Sequence, residues 1–333
     1  MDIDSIRNRL YGTRVVKKDD VTVVKADSGS LCIPRERLED EEITEIVSAI
    51  QALKKVSEEN GADFLYCAAP SKELYEHLPS NIDNYYKDNF ARFLEEMKDS
   101  DIPIVDLSNA FMDMEESDIF YYTDHHWKAR SAFIATSTIC RELSLRYGFE
   151  YNEQYTDIKN YNVDLYKNWF LGSYGKKVGT YFSGHGRDDF ELIIPNFKTY
   201  MTEEQPFKNE ASKGAFTDTV LFMENMEKDY YHKNPYATYS GGDFRLQIMK
   251  NNLNSDGAKI LLVRESFSCA LAPFLALQTG ELHVCDVREG DYSGDKLDLE
   301  EYIQDIKPDY VLVLYNGVKS IRNSDGRYDF LNN

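Results

Sequence analysis

Leu261-Leu262-Val263-Arg264-Glu265-Ser266-Phe267-Ser268 is the stretch on which the reading of this chain turns. An apolar, β-type run stops abruptly at a serine and passes straight into a helical pattern. A strand–Ser–helix junction of this kind sits at the carboxyl edge of a sheet and exposes a hydroxyl beside the N–H groups of a helix start. Two roles suit the serine: a nucleophile activated by an imidazole, and a helix N-cap, which serine favours. The G-x-S-x-G pattern is missing, because Arg264 and Ser268 stand at its glycine positions. An ordinary α/β-hydrolase is thereby disfavoured.

The partner for such a serine lies far upstream, in Thr123-Asp124-His125-His126-Trp127. A His two residues after an Asp can hydrogen-bond through one ring nitrogen and keep the other as a general base. The plainer alternative has Asp124 capping a helix that begins near Trp127, with both histidines on the surface. A metal site is not expected, since the H-E-x-x-H spacing and an adjoining carboxylate cluster are both missing. Asn316 closes the run Lys307-Pro308-Asp309-Tyr310-Val311-Leu312-Val313-Leu314-Tyr315. At the tip of a buried parallel strand its amide could face an oxyanion formed over the neighbouring strand; a turn at Asn-Gly is the competing role.

Composition narrows the classes. A length of 333 residues suits one large α/β domain or two ordinary ones, and 42% hydrophobic residues support a packed core. The net charge of −20 repels phosphate backbones and anionic leaflets, so no nucleic-acid partner is expected. Five widely spaced cysteines without a CxxC argue against a disulfide framework or a zinc site. No apolar stretch approaches the roughly 18 residues that span a bilayer, and Met-Asp-Ile-Asp-Ser-Ile-Arg is no signal peptide. Read literally, the chain is soluble, and any N-terminal anchor would be missing from it.

Four segments emerge. Residues 1–40 form an N-terminal extension with a hairpin around Val21–Val24 and Leu31–Ile33. Residues 41–149 show βα alternation: a helix with apolar positions Ile43, Ile46, Val47, Ile50, Leu53 and Val56, strands at 64–69, 102–107 and 119–122, and a helix over 128–147. Residues 150–245 are aromatic-rich and lack a sustained period, which reads as an irregular insertion with short strands such as 190–194 and 219–223. The α/β rhythm returns over 246–333, with strands at 259–263, 282–285 and 310–315 and helices at 267–278 and 298–306. The stretch Asp286–Asp295 is acidic but lacks EF-hand ligand spacing.

Asp124-His125-His126-Trp127 resembles the signature of the bacterial DHHW proteins, which are similar to the alginate O-acetyltransferases and through them to the SGNH hydrolase superfamily. The resemblance extends over roughly residues 40–147 and 235–317. Placing the Asp–His pair upstream of the serine resembles the permuted order of the acetyltransferases, and the elbow departs from the family, with Arg264-Glu265 standing where Gly-Asp or Lys-Asp is usual. The resemblance implies an SGNH-like α/β fold: a doubly wound, mostly parallel sheet with helices on both faces and an aromatic-rich insertion. It implies Ser266 as nucleophile, His126 as base and Asp124 as its orienting carboxylate. His125 falls in the variable position. Ser266 N–H and Asn316 would form the oxyanion hole.

The implied activity is O-acyl transfer, chiefly acetyl, onto a cell-surface or exported polysaccharide, with no cofactor. A carbohydrate esterase would use the same residues. A non-catalytic glycan-binding or assembly protein is the reading if Arg264 and Glu265 spoil the elbow. Candidate substrate contacts are His125, Trp169, Gly172, Ser173, Tyr174, Tyr239, Gly241 and Arg288, with Tyr166 and Tyr181 as further rings for stacking on sugars. The resemblance further implies a membrane-bound O-acyltransferase as acyl supplier and an extracytoplasmic location, a cytoplasmic one being the alternative.

Overall fold

Alternation along the central strands explains the architecture. In a strand, successive side chains point to opposite faces, and a sheet covered on both sides must be apolar at every position. The computed structural model describes residues 2–18, 21–290, 294–316 and 325–331. In chain order its regular elements begin with helix α1 (Asp2–Leu10), strands β1 (Val15–Lys18), β2 (Val21–Lys25) and β3 (Leu31–Cys32), α2 (Asp40–Glu59) and β4 (Asp63–Ala69). Then come α3 (Tyr86–Asp99), β5 (Ile104–Asp106), α4 (Glu116–Ile119), α5 (Ala129–Tyr147), β6 (Tyr161–Phe170), α6 (Ser173–Val178) and β7 (Asp188–Pro195). Strands β8 (Met201–Gln205) and β9 (Glu210–Gly214), α7 (Phe216–Thr219), β10 (Leu246–Asn251) and β11 (Lys259–Arg264) follow. The chain closes with α8 (Ala272–Ala276), β12 (Glu281–Cys285), α9 (Leu299–Ile306) and β13 (Tyr310–Asn316).

Among the described residues the main sheet runs β5-β4-β13-β11-β12-β10-β8-β9. The pairs from β5 to β12 are parallel, and β10, β8 and β9 add an antiparallel edge. One face carries Leu65 and Cys67 of β4, Ile260 and Leu262 of β11, and Leu312 and Leu314 of β13, packed with residues of α5 and α8. The opposite face carries Phe64 and Tyr66, Leu261 and Val263, and Val311 and Val313, packed with α2, α3 and α9. This is the expected doubly wound, mostly parallel sheet with helices on both faces. Successive strands step outward in opposite senses, from β4 to β5 on one side and from β11 to β12 on the other, with β13 inserted between β4 and β11. The carboxyl ends of β4, β13 and β11 therefore open on one crevice, the usual ligand position of such sheets.

Several local expectations are corrected. The segment 119–122 is not a strand: α4 ends at Ile119, and the loop beyond it closes through a bridge between Phe120 and Trp127. The helix expected over 267–278 is a 3₁₀ turn at Ser266–Cys269 followed by the short α8. The middle segment is more regular than its composition suggests. β6 and β7 form a long antiparallel hairpin, whereas 219–223 runs from the end of α7 into a turn, with a single antiparallel bridge from Leu221 to Tyr239. The N-terminal hairpin is present as β2–β3, and its Val23 and Leu31 pack with Tyr174, Val178 and Phe182 of the insertion. Part of the acidic 286–295 stretch, and Gly317 after Asn316, lie outside the described residues. No helix among the described residues is long and apolar enough to cross a membrane.

Candidate active site

The elbow after β11 is held by charge. Glu265 is extended, with φ −124° and ψ −173°, and leads into the turn that starts at Ser266. Arg264 is fully buried and ion-paired with Asp243. Asp243 also meets Arg288 at 3.0 Å, and Arg288 meets Asp286 at 2.6 Å. Burial alone would raise the Asp243 carboxyl, but Arg264 and Arg288 hold it well below the usual carboxylate range. Glu265 accepts the Asn316 N–H at 2.6 Å through one oxygen and an Arg327 N–H at 3.0 Å through the other. The two residues that depart from the family pattern are thus buried, paired and tied to the neighbouring strand. Ser266 remains half-buried between buried neighbours.

Across from it, Asp124, His126 and Ser266 converge. His126 Nε2 lies 2.7 Å from Ser266 Oγ, and His126 Nδ1 lies 2.5 Å from Asp124 Oδ1. With the Nδ1 proton donated to Asp124, the Nε2 lone pair faces the serine hydroxyl. Burial alone would raise the Asp124 carboxyl. The two neighbouring imidazoles and the Ser173 N–H, which donates to Oδ2 at 2.5 Å, hold it well below the usual range instead. Asp124 does not cap a helix near Trp127; α5 begins at Ala129 behind Lys128.

Trp127 registers the two segments. Its indole N–H donates to the Phe267 carbonyl at 3.0 Å, and the Tyr236 hydroxyl donates to the same oxygen at 3.0 Å. Tyr236 also stacks on the His126 ring, with centroids 4.0 Å apart, and His125 lies on His126 at 3.8 Å. Rings on both sides restrict rotation of the imidazole out of line with Ser266.

Asn316 ends β13, the strand hydrogen-bonded to β11. Its Oδ1 receives the Tyr86 hydroxyl at 3.4 Å, and the same hydroxyl accepts the Ser71 N–H at 2.8 Å. Its buried Nδ2 has no hydrogen-bond partner among the described residues. A buried amide donor left open beside an elbow is the kind of group that meets developing negative charge.

The candidate contact residues separate by exposure. Tyr239 is fully buried, donating to the Glu191 carbonyl and accepting from the Ile193 N–H, and Tyr174 is buried against the N-terminal hairpin. Neither presents a ring face to solvent, which corrects the expectations that Tyr174 stacks on sugars and that Tyr239 contacts substrate. Gly172 packs against Asp124, and its N–H donates to Thr123 Oγ1 at 2.8 Å. Ser173 Oγ meets His125 Nδ1 at 3.0 Å. Gly241 sits at φ +76° against the Phe222 ring, and Arg288 belongs to the ion-pair network under the elbow. Trp169 is half-buried with its indole N–H on the Met226 carbonyl; Tyr166 lies against it, and Tyr181 is exposed. Asp124, His125 and His126 also place ligand-type atoms close together, but Asp124 and His126 already hydrogen-bond one another there. Sequence reasoning missed Lys72, Asp188, Tyr236 and Asp243, which reach the site from distant segments. For Lys72 alone there was a signal, a charged residue just past the end of an apolar strand.

Comparison with known proteins bears on the family and the fold. The chain matches the family described as DHHW protein over residues 104–285. It also matches the SGNH hydrolase-like domain of acetyltransferase AlgX over residues 32–162. No curated protein sequence matches it. Among solved structures it resembles Bacillus cereus PatB1 with a sulfonyl adduct, at 21% identity, over 96% of this chain and 99% of that one, with a TM-score of 0.74. A DHHW family protein from Eubacterium siraeum DSM 15702 is similar at 19% identity, over 96% and 98% of the two chains, with a TM-score of 0.69. The O-acetyltransferase domain of Pseudomonas putida AlgJ aligns at 12% identity, over 93% and 94%, with a TM-score of 0.51. These likenesses carry the fold. The family match spans more than half of the chain and includes the Asp124–Trp127 signature, and on that ground this protein belongs to the DHHW family.

Proposed function

We propose that this protein is a serine-dependent O-acyltransferase that moves an acyl group, chiefly acetyl, onto a hydroxyl of a polysaccharide. The observation that carries the reading is the line from Asp124 Oδ1 through His126 to Ser266 Oγ, at 2.5 and 2.7 Å. In that arrangement Ser266 Oγ attacks the acyl carbonyl carbon of the donor ester while His126 Nε2 takes the hydroxyl proton. The donor C–O bond breaks, the departing oxygen takes that proton, and acyl-Ser266 remains. A sugar hydroxyl then attacks the acyl carbon, gives its proton to His126, and leaves as the new ester while Ser266 recovers a proton. Asp124, ionised throughout, steadies the imidazolium. The Ser266 N–H and the open Asn316 amide stabilise the tetrahedral oxyanion.

Likeness to the O-acetyltransferase domain of AlgJ and to the acetyltransferase AlgX family pattern supports acetyl as the group; polysaccharide as the acceptor follows from the family resemblance of the Asp124–Trp127 motif. A membrane-bound acyltransferase supplying the donor, and a place outside the cytoplasm, belong to the same reading. The test is covalent. A sulfonyl fluoride or p-nitrophenyl acetate should label the protein once, with peptide mapping placing the adduct on Ser266. Ester release to an added oligosaccharide rather than to water then identifies a transferase. Labelling that is unchanged in Ser266→Ala would end the proposal.

A further inference from the structure

The backbone that presents Asp124 has no helix or strand of its own between Phe120 and Trp127. It is gripped instead by two buried charges of opposite sign. Lys72, just beyond β4, is fully buried, and its ammonium donates to the carbonyls of Tyr121 at 2.6 Å, Tyr122 at 3.3 Å and Asp124 at 2.8 Å. Asp188, the first residue of β7, accepts the N–H groups of Tyr122 at 2.6 Å and Thr123 at 2.9 Å, and the Thr123 hydroxyl at 2.5 Å. A cation thus holds the carbonyls, and an anion the amides, of one four-residue run.

A buried charge is costly unless it is paired and hydrogen-bonded, and an apolar plug would be a cheaper support for a loop. The outlay is directional. All three ammonium donors point at carbonyls of the run that carries Asp124, and burial, which raises the Asp188 carboxyl, is opposed by Thr123, Tyr122 and the Lys72 charge. Thr123 extends the grip by accepting the Gly172 N–H, and the next residue, Ser173, donates to Asp124 itself. Both ends of the Asp124 residue are therefore fixed, its carbonyl by Lys72 and its carboxylate by Ser173.

We propose that Lys72 and Asp188 are positioning residues that clamp residues 121–124 and so hold the Asp124 carboxylate in line with His126 Nδ1. This rests on reading Asp124, His126 and Ser266 as the reacting groups. The effect sought is alignment: a misplacement of about 1 Å can cost about 10²-fold in rate.

The experiment compares Lys72→Met, Asp188→Asn and the double variant on p-nitrophenyl acetate, with the low-field proton resonance of the Asp124–His126 hydrogen bond recorded for each. Each single variant should lower kcat by about 10²-fold with KM within about twofold. The low-field resonance should be lost or broadened while thermal unfolding stays cooperative. The double variant should fall little below the singles, because the two charges hold one segment. Asp188→Asn keeps the side-chain volume and decides the matter if Lys72→Met does not fold. A folded Asp188→Asn with unchanged resonance and kcat overturns the clamp, as does a loss of kcat that only tracks the folded fraction. If Ser266→Ala kept full turnover the triad reading would fall, but the resonance, which needs no turnover, would still decide the clamp.

Discussion

His125 and His126 stand ring against ring, yet they face different neighbours. His126 spans Asp124 and Ser266, whereas His125 turns its Nδ1 to Ser173. Consecutive side chains cannot both face one hydroxyl, so substitution should separate them. Ser266→Ala and His126→Ala should each lower esterase or transferase turnover by about 10⁴–10⁶-fold, and the double variant should lose little more, because such groups act as a unit. His125→Ala should lose far less. An inactive His125→Ala beside an active His126→Ala would reverse the assignment. Asn316→Ala removes one oxyanion donor and should cost about 10²–10³-fold in kcat; unchanged turnover would return Asn316 to a turn residue. The pair of motifs was readable in the sequence because Asp-x-His fixes a local geometry and a strand ending at serine fixes another. The roles of Arg264 and Glu265 were not, since their partners Asp243 and Arg327 lie 21 and 62 positions away.

At the scale of elements, α6 acts as a strut for the Asp124 loop. Gly172 precedes it, and a methyl group there would collide with the Asp124 Cα and Cβ and the Thr123 carbonyl oxygen. The clash is with backbone, which cannot swing away as a flexible side chain can. Gly172→Ala should therefore destabilise the protein by about 1–3 kcal/mol, as overpacking does, and should depress kcat beyond that loss, because the Ser173 N–H is displaced from Asp124. Thermal melts combined with kcat measured well below the melting temperature test this. A variant with wild-type kcat would show that α6 supports the fold alone. Hydrophobic periodicity could not have revealed this strut, for α6 is a six-residue helix whose function is carried by one glycine and one backbone N–H. The long helices α2 and α5 were legible for the opposite reason, with buried residues such as Ile43, Ile46, Val47 and Ile50 recurring at helical spacing.

Across the whole molecule, the parallel strands could be recognised because each is apolar on both faces, as β11 and β13 are at nearly every position. Strands β8, β9 and β10 escaped recognition because an antiparallel edge mixes charge with burial; Glu203 and Gln247 are buried but hydrogen-bonded to one another. A second acidic feature joins three remote parts of the chain. A cavity of about 230 Å³ is lined by Ser28 of the N-terminal hairpin, Glu76 beyond β4, and Glu116 and Tyr122 flanking the α4 loop. Burial, with Glu76 alongside, pushes the Glu116 carboxyl up to about 8. In the unfolded chain the same group ionises near its ordinary value of 4.5. A carboxyl whose folded value is raised supports the fold at low pH, and that support is lost as pH climbs from the unfolded value through the folded one. Stability should thus decline between about pH 4.5 and 8 on this account, and no further above it. Glu116→Gln is uncharged at every pH and should escape the decline. Its melting temperature should match wild type near pH 4.5 and exceed it increasingly toward pH 8.5, with the difference trimmed by solvent because the side chain is only half-buried. Parallel melting curves for the two proteins over that range would mean that Glu116 ionises freely beside Glu76.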